Sequence, residues 1–363
     1  MIPKPRIWRF VLRTGVAAFA LATPALLLVG CASLSKPLGP GLELPTETAG
    51  PAVPTRTAVE VVGTISPVPS VEPSPEPLCG GPPTMLVLGV GADNRDEGYL
   101  YGLADAIRVA RVDFTVPSIS VLSLPRDLWV EIPGIADHYG ITHGKLNQAY
   151  FYGNPGMGYY DGPGAGPGLL ARTLDLNFGL RLDHYGAINM VTFVRLVDAV
   201  GGIDIYLDAP VDGRPVDDKT EDMGYFAAGH HHMDGATALR FSRIRKVDTV
   251  FARDDRQSQV LCALKDELLS PASIIRIPEL VAAFRDSVLT DLSPAQIAQL
   301  ACLAPQIRPE NLRLTSVPRE LLAQSRNADG SFIWDVDNQE IRDLIAAFVA
   351  GEWPTAPDEP SCP

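Results

Sequence analysis

Short apolar runs ending in glycine or proline alternate along this chain with stretches of helical spacing, a pattern buried most simply by laying helices on a sheet. The first run, Met85–Val90 (MLVLGV), is continuous, as a strand covered on both faces should be. A second strand is predicted over Ala106–Phe114 and a third over Ile119–Leu124, joined by a hairpin at Val116-Pro117-Ser118 and stopped by Pro125. Lys145–Ala149 opens a helix, and Tyr150–Gly168, dense in Gly, Pro and Tyr, is predicted to be a long surface loop. Leu169–Phe178 reads as helix and Tyr185–Asn189 as strand. Val191–Val200 is an amphipathic helix stopped by Gly201-Gly202 ahead of a strand at Ile203–Leu207. Helical spacing returns at Val260–Leu269, Ile277–Leu289, Pro294–Ala301 and Gln339–Ala350, with one more strand at Leu312–Val317. The fold class that follows is α/β: a single domain with a mixed central β-sheet and helices on both faces.

Not all of the chain belongs to that body. Lys4, Arg6, Arg9 and Arg13 precede the apolar run Val16–Val29, and small residues lead into Cys31 (LVGC), the form of a secretory signal ending in a lipidated cysteine. Pro24 interrupts the run, which is short for a bilayer span. Residues 1–31 are therefore expected to be a lipoprotein signal peptide, with Cys31 the lipidation site. The body would then lie at the outer face of the cytoplasmic membrane, lipid-anchored. Residues 32–83, rich in Pro, Ser and Thr, are expected to be a disordered tether, and residues 354–363 a tail. Export makes the remaining cysteines disulfide candidates, with Cys262–Cys302 and Cys79–Cys362 the expected pairs.

One stretch, Leu239–Gln257 (LRFSRIRKVDTVFARDDRQ), concentrates positive charge in a chain of formal charge −13. Read as a strand, its first half puts Arg243 and Arg245 on one face. Arg253, Arg256 and Gln257 fall at i, i+3 and i+4, one face of a helix. Such convergence suits an anion with several oxygens for guanidinium forks to grip, such as phosphate or pyrophosphate. The acidic balance excludes the broad basic footprint that nucleic-acid binding needs. Asp93-Asn94-Arg95, Asp105 and Arg126-Asp127 stand at strand ends, where α/β folds collect ligand groups. His230-His231-His232 cannot turn three imidazoles toward one ion and is predicted to be a polar turn. Gly89-Val90-Gly91 lacks the third glycine and the helix start of a dinucleotide fingerprint.

These pieces together resemble the LytR-CpsA-Psr family of extracytoplasmic phosphotransferases. The resemblance rests on Gly91-Ala92-Asp93-Asn94-Arg95, Gly102…Asp105, Ser123-Leu124-Pro125-Arg126-Asp127, Ile132-Pro133-Gly134 and Lys145-Leu146-Asn147. It continues through Val197–Ile203, Met233-Asp234-Gly235, Phe241–Lys246 and Arg253–Gln257. The segments occur in family order, so residues 84–353 divide into a motif core, 84–265, and a helical C-terminal part, 266–353. The resemblance implies transfer of a glycosyl-phosphate from a polyprenyl-pyrophosphate-linked glycan to a cell-wall acceptor such as peptidoglycan. It implies Mg²⁺ held by Asp93 and Asp105, and pyrophosphate clasped by Arg95, Arg126, Arg243, Arg245 and Arg253 with support from Gln257. Asp93, Asp105, Arg126, Arg243 and Arg245 are then the expected catalytic residues. Where the family has Arg-Ser before the second aspartate, this chain has Leu103-Ala104. A polyprenyl-lipid-binding envelope protein without turnover, and a transcriptional attenuator, are the competing readings.

Overall fold

The computed structural model describes residues 37–44, 75–96, 99–218, 220–245, 250–270, 284 and 287–354. Expectations for the signal peptide, Cys31, Cys362 and most of Ile277–Leu289 lie outside the described residues. The first three strands, β1 (Thr84–Ala92), β2 (Ala104–Asp113) and β3 (Ser118–Ser123), form an antiparallel meander. Then come the paired β4 (Trp129–Glu131) and β5 (His143–Lys145), α1 (Leu146–Tyr152) and α2 (Ala165–Phe178). Next are β6 (His184–Asn189), α3 (Met190–Val200), β7 (Ile203–Leu207), β8 (Val211–Asp212), β9 (Tyr225–Phe226) and β10 (Gly229–Met233). They lead to α4 (Gly235–Arg243) and α5 (Val250–Leu268). The chain closes with β11 (Val288–Thr290), α6 (Pro294–Leu303), β12 (Leu312–Ser316), β13 (Ala323–Arg326), β14 (Phe332–Asp335) and α7 (Asn338–Ala350).

The central sheet runs β11-β6-β1-β2-β3-β12. β1 is parallel to β6 and β3 to β12, and the other neighbours are antiparallel, so the sheet is mixed as expected. Strand alternation sorts its residues. Leu86, Leu88 and Val90 of β1 and Ile107 and Val109 of β2 join Leu170, Leu174, Ile341 and Phe348 from α2 and α7 in the main core. Each such side chain, fully buried, contributes about 1.5–3 kcal/mol. On the opposite face β1 presents Gly89 and Gly91, across from Arg108 and Ala106 of β2. The α3–α5 layer covers this face and has its own core around Val197, Ile203, Phe241 and Val260. Two missing side chains and one short one thus leave open the space that a packed sheet–helix interface would fill.

Several expectations change. The segment read as an arginine strand ends a helix instead. Asp234 caps α4, its Oδ1 accepting from Thr237 N at 2.8 Å, and Ala238 and Phe241 bury at i and i+3. Only past Arg243 does the chain extend, at Ile244 (ψ 129°). The triple histidine is in β10, paired antiparallel with β7, and not in a turn. The long loop is shorter than expected, because Tyr150 is fully buried in α1 and α2 begins at Ala165. The C-terminal part is not simply helical: β11 and β12 form the two edges of the central sheet.

The tether expectation fails for residues 37–44. Leu42 is 4% exposed in the main core, Tyr185 Oη donates to Pro40 O at 3.0 Å, and Arg172 Nη2 donates to Glu43 O at 2.9 Å. The expected cysteine pairing is also replaced. Cys79 bonds Cys302, with Cα atoms 5.9 Å apart, because α6 packs beside Met85 and Phe114 at the start of β1 and brings Cys302 to the turn that holds Cys79. Cys262 is disulfide-bonded as well, but not to Cys302.

Candidate active site

The carboxyl ends of the parallel strands β1 and β6 deliver the first groups. Asp93 directly follows β1, and its Oδ1 accepts from Leu103 N at 2.8 Å while its own N–H donates to Leu103 O at 3.0 Å. These two bonds close the intervening loop. Asn189, 2% exposed, ends β6 and caps α3 through Thr192 N at 2.8 Å, and its Nδ2 holds the same loop at Asp96 O and Tyr99 O. At the positions where an Arg-Ser pair was expected, Leu103 meets Asp93 only through its backbone, and Ala104 is wholly buried.

Asp105 reaches the site through a register shift. Gly91 is opposite Ala106 and Ala92 opposite Ala104, so Asp105 has no partner on β1. A bulge of this kind re-aims one side chain out of the strand's alternation. Its Oδ1 accepts from Arg126 Nη1, and its Oδ2 is 3.7 Å from Arg245 Nη2. Arg126, just beyond β3, also donates through Nε to Asp127 Oδ2 at 3.3 Å, and Lys145 Nζ donates to Asp127 Oδ1 at 2.8 Å. Burial alone would raise the Asp127 carboxyl, but the Lys145 bond and the Arg126 charge outweigh it and hold the group below the ordinary range.

The helical arginines divide. Arg253, 7% exposed, and Gln257 line the cavity beneath α5. Arg256 turns aside and donates to Ile244 O at 2.6 Å, which corrects its expected place among the anion ligands. It braces the segment that carries Arg245. Arg95 and Arg243 both reach the site rim, where each has Nη2 3.2 Å from Glu221 Oε2. Arg253 is pushed down to about 10, first by burial and then by the positive charges of Arg126 and Arg245. Burial likewise lowers Arg245, with Arg126 adding to it. Three guanidiniums crowd one another here, and a bound anion would relieve their repulsion.

Two cavities meet at this cluster. One, about 580 Å³, lies between the glycine face of the sheet and α3–α5 and is lined by Gly89, Val90, Ile188, Phe193, Leu239 and Val260 among others. The other, about 670 Å³, is polar and is walled by Asp93, Arg95, Arg126, Asp127, Lys145 and Asn147. Asp105, Met190, Arg243 and Arg245 belong to both. Sequence reasoning missed Arg108, 8% exposed on the cavity face of β2, where it pairs with Asp254 at 3.2 Å. Its alternation with Ile107 and Val109 was the available signal. It also gave no role to Lys145, Asn147 or Glu221.

Asp93, just past β1, and Asp105, at the bulge of β2, both line the polar cavity, a pair of carboxylates of the donor type a hard divalent cation takes. Burial raises the Asp93 carboxyl above its usual value and the Asp105 charge adds to this, against the bond from Leu103 and the charge of Arg126. An acid so raised stays protonated to higher pH than a free aspartate. Replacing Asp105 by Asn removes one raising charge, so the Asp93 midpoint, followed by carboxyl NMR, should fall. An unmoved or higher midpoint would contradict this coupling.

The chain matches the sequence model of the LytR_cpsA_psr family over residues 61–348. It belongs to the LytR_cpsA_psr family. Among curated family relatives, the regulatory protein MsrR of Staphylococcus aureus (strain COL) is 27% identical over 269 residues, covering 71% of this chain and 73% of the relative. The polyisoprenyl-teichoic acid–peptidoglycan teichoic acid transferase TagU of Oceanobacillus iheyensis is 34% identical over 218 residues, covering 59% and 61%. Among solved structures, B. subtilis TagV superposes with a TM-score of 0.56 at 22% identity, covering 74% of this chain and 97% of that one. A structure of TagT bound to LI-WTA gives 0.56 at 20% identity, covering 74% and 90%. At these identities the structural likeness is one of fold.

Proposed function

We propose that this protein is a Mg²⁺-dependent phosphotransferase that moves a glycosyl-phosphate from polyprenyl pyrophosphate to a cell-wall hydroxyl, at the outer face of the cytoplasmic membrane. The observation that carries the reading is the junction of an apolar and a polar cavity at a cluster of Asp105, Arg126, Arg243, Arg245 and Arg253. A prenyl chain suits the first cavity, linked phosphates suit the cluster, and saccharide suits the polar side. Family membership and the transferase activity in the name of TagU support the same reaction class.

In this reading Asp93 and Asp105 would hold Mg²⁺, which when bound would offset charge on the phosphate oxygens. The arginines bind and orient the two phosphates, and their fixed positive charge stabilises the negative charge that gathers on the bridging oxygen as its bond to phosphorus breaks. The acceptor oxygen forms the new bond to the glycosyl-bearing phosphorus. Polyprenyl phosphate leaves with the bonding electron pair, and the acceptor proton passes to a carboxylate, Asp93 or Asp105. The apolar walls exclude water, which would otherwise compete as nucleophile.

The test is release of polyprenyl phosphate from a glycan-linked polyprenyl pyrophosphate, in the presence of peptidoglycan fragments, with and without Mg²⁺. Acceptor-dependent release that stops on chelation is expected. Tight binding without release would favour the lipid-holding alternative, to which the apolar cavity alone is equally suited.

A further inference from the structure

The apolar cavity takes the lipid, and Asp93, Asp105 and the arginines take the metal and the phosphates, which leaves the saccharide side of the polar cavity without an assigned contact. Asn147, the second residue of α1, lines that cavity and is 4% exposed. Its side-chain Oδ1 has no hydrogen-bond partner among the described residues. The backbone fixes its position, because Asn147 N donates to Arg126 O at 3.0 Å. Its neighbours already bond within the protein: Lys145 Nζ donates to Asp127, and Gln148 Oε1 accepts from Lys145 N at 2.7 Å. Leaving a buried amide oxygen unmatched costs about 1–3 kcal/mol. A ligand group donating to it would remove that cost.

The type of ligand follows from the side chain. A neutral carboxamide offers both a donor and an acceptor, which matches a hydroxyl or N-acetyl group and discriminates poorly in favour of phosphate. Reaction geometry selects the side. In phosphoryl transfer the attacking and leaving oxygens are roughly in line through phosphorus. With the departing polyprenyl phosphate on the apolar side, the attacking hydroxyl reaches phosphorus from the polar one.

Resting on the function proposed above, we infer that the polar cavity is the acceptor subsite, and that Asn147 binds a hydroxyl or N-acetyl group of the acceptor saccharide. Ser331, exposed in the turn between β13 and β14, forms part of its outer wall.

Two variants of the full chain test this from opposite walls. Asn147→Ala removes the buried amide, and Ser331→Trp narrows the cavity from an exposed position that tolerates a larger side chain. Titrations use a soluble uncrosslinked peptidoglycan disaccharide-peptide as the acceptor probe and farnesyl pyrophosphate with Mg²⁺ as the donor-side probe. Both variants should weaken acceptor binding about tenfold, equivalent to about 1.4 kcal/mol, and keep farnesyl pyrophosphate within about twofold of wild type. If Asn147→Ala does not fold, Ser331→Trp decides alone. Unchanged acceptor binding, an equal loss of both probes, or no acceptor binding by the wild type would overturn the inference. A third titration uses a glycan-bearing prenyl pyrophosphate, and a loss confined to that probe would also overturn the inference, since the cavity would then belong to the donor's own sugar. Wild-type protein that fails to bind farnesyl pyrophosphate would instead sink the function on which the inference rests.

Discussion

Asp105→Asn is expected to lower turnover by about a thousandfold, since a metal-ligating or charge-stabilising group of this kind is worth several kcal/mol in the transition state. Donor binding should fall far less. Asp105 is the bulged residue between two pairs on β1, so the substitution needs no change of backbone. The carboxylate sits between Arg126 and Arg245, and the amide keeps its shape while losing its charge. Both arginines then remain available to phosphate. Single-turnover release of polyprenyl phosphate, measured beside equilibrium binding of the donor, separates the two effects. A variant that turns over at the wild-type rate would remove Asp105 from the chemistry.

Arg253→Met should separate stability from binding. Burying a cation without full compensation is unfavourable, and replacing buried charge with a well-packed apolar group is often neutral or stabilising by about 1–4 kcal/mol. Arg253 is 7% exposed, its Nε has no hydrogen-bond partner among the described residues, and its pKa is pushed down to about 10. The sign is clear: a cation whose folded value lies below its unfolded value carries a cost at neutral pH. That cost fades only as pH rises through about 10 toward the unfolded value. Methionine removes it and fits the apolar wall that Arg253 shares with Ile244 and Val260. Thermal melting should therefore hold or rise, and affinity for a prenyl pyrophosphate should fall by about a hundredfold, equivalent to about 2–3 kcal/mol for a lost charge-assisted contact. A variant that melts well below wild type and still binds pyrophosphate normally would reverse both halves of the argument.

What the sequence made legible was mainly what local pattern can encode. The strands at Met85, Ala106 and Ile119 and the helix stopped by Gly201-Gly202 show as apolar runs with clear punctuation, and the structure has all of them. The two aspartates and most of the arginines were visible as charges at strand ends or on one helix face. The bulge that aims Asp105 was not, because a bulge is a property of pairing register between two strands. Phe241, Arg243 and Arg245 alternate as they would in a strand, whereas the Asp234 cap and burial of Ala238 and Phe241 decide for helix. Arg256 shares a helix face with Arg253 by spacing, yet the extended segment at Ile244 offers its carbonyl and draws the guanidinium away. Residues 37–44 are too short and too rich in Gly and Pro to show a period, so the burial of Leu42 left no trace in the pattern. The cysteine pairing depends on where α6 lies over β1, which spacing along the chain does not determine.

The most direct measurement is a crystal structure of the protein with a short-chain polyprenyl pyrophosphate and Mg²⁺. The prenyl chain should lie along Gly89 and Gly91, with both phosphates within hydrogen-bond distance of Arg243, Arg245 and Arg253 and the ion bound by Asp93 and Asp105. A pyrophosphate bound elsewhere, touching none of those three guanidiniums, would contradict the account.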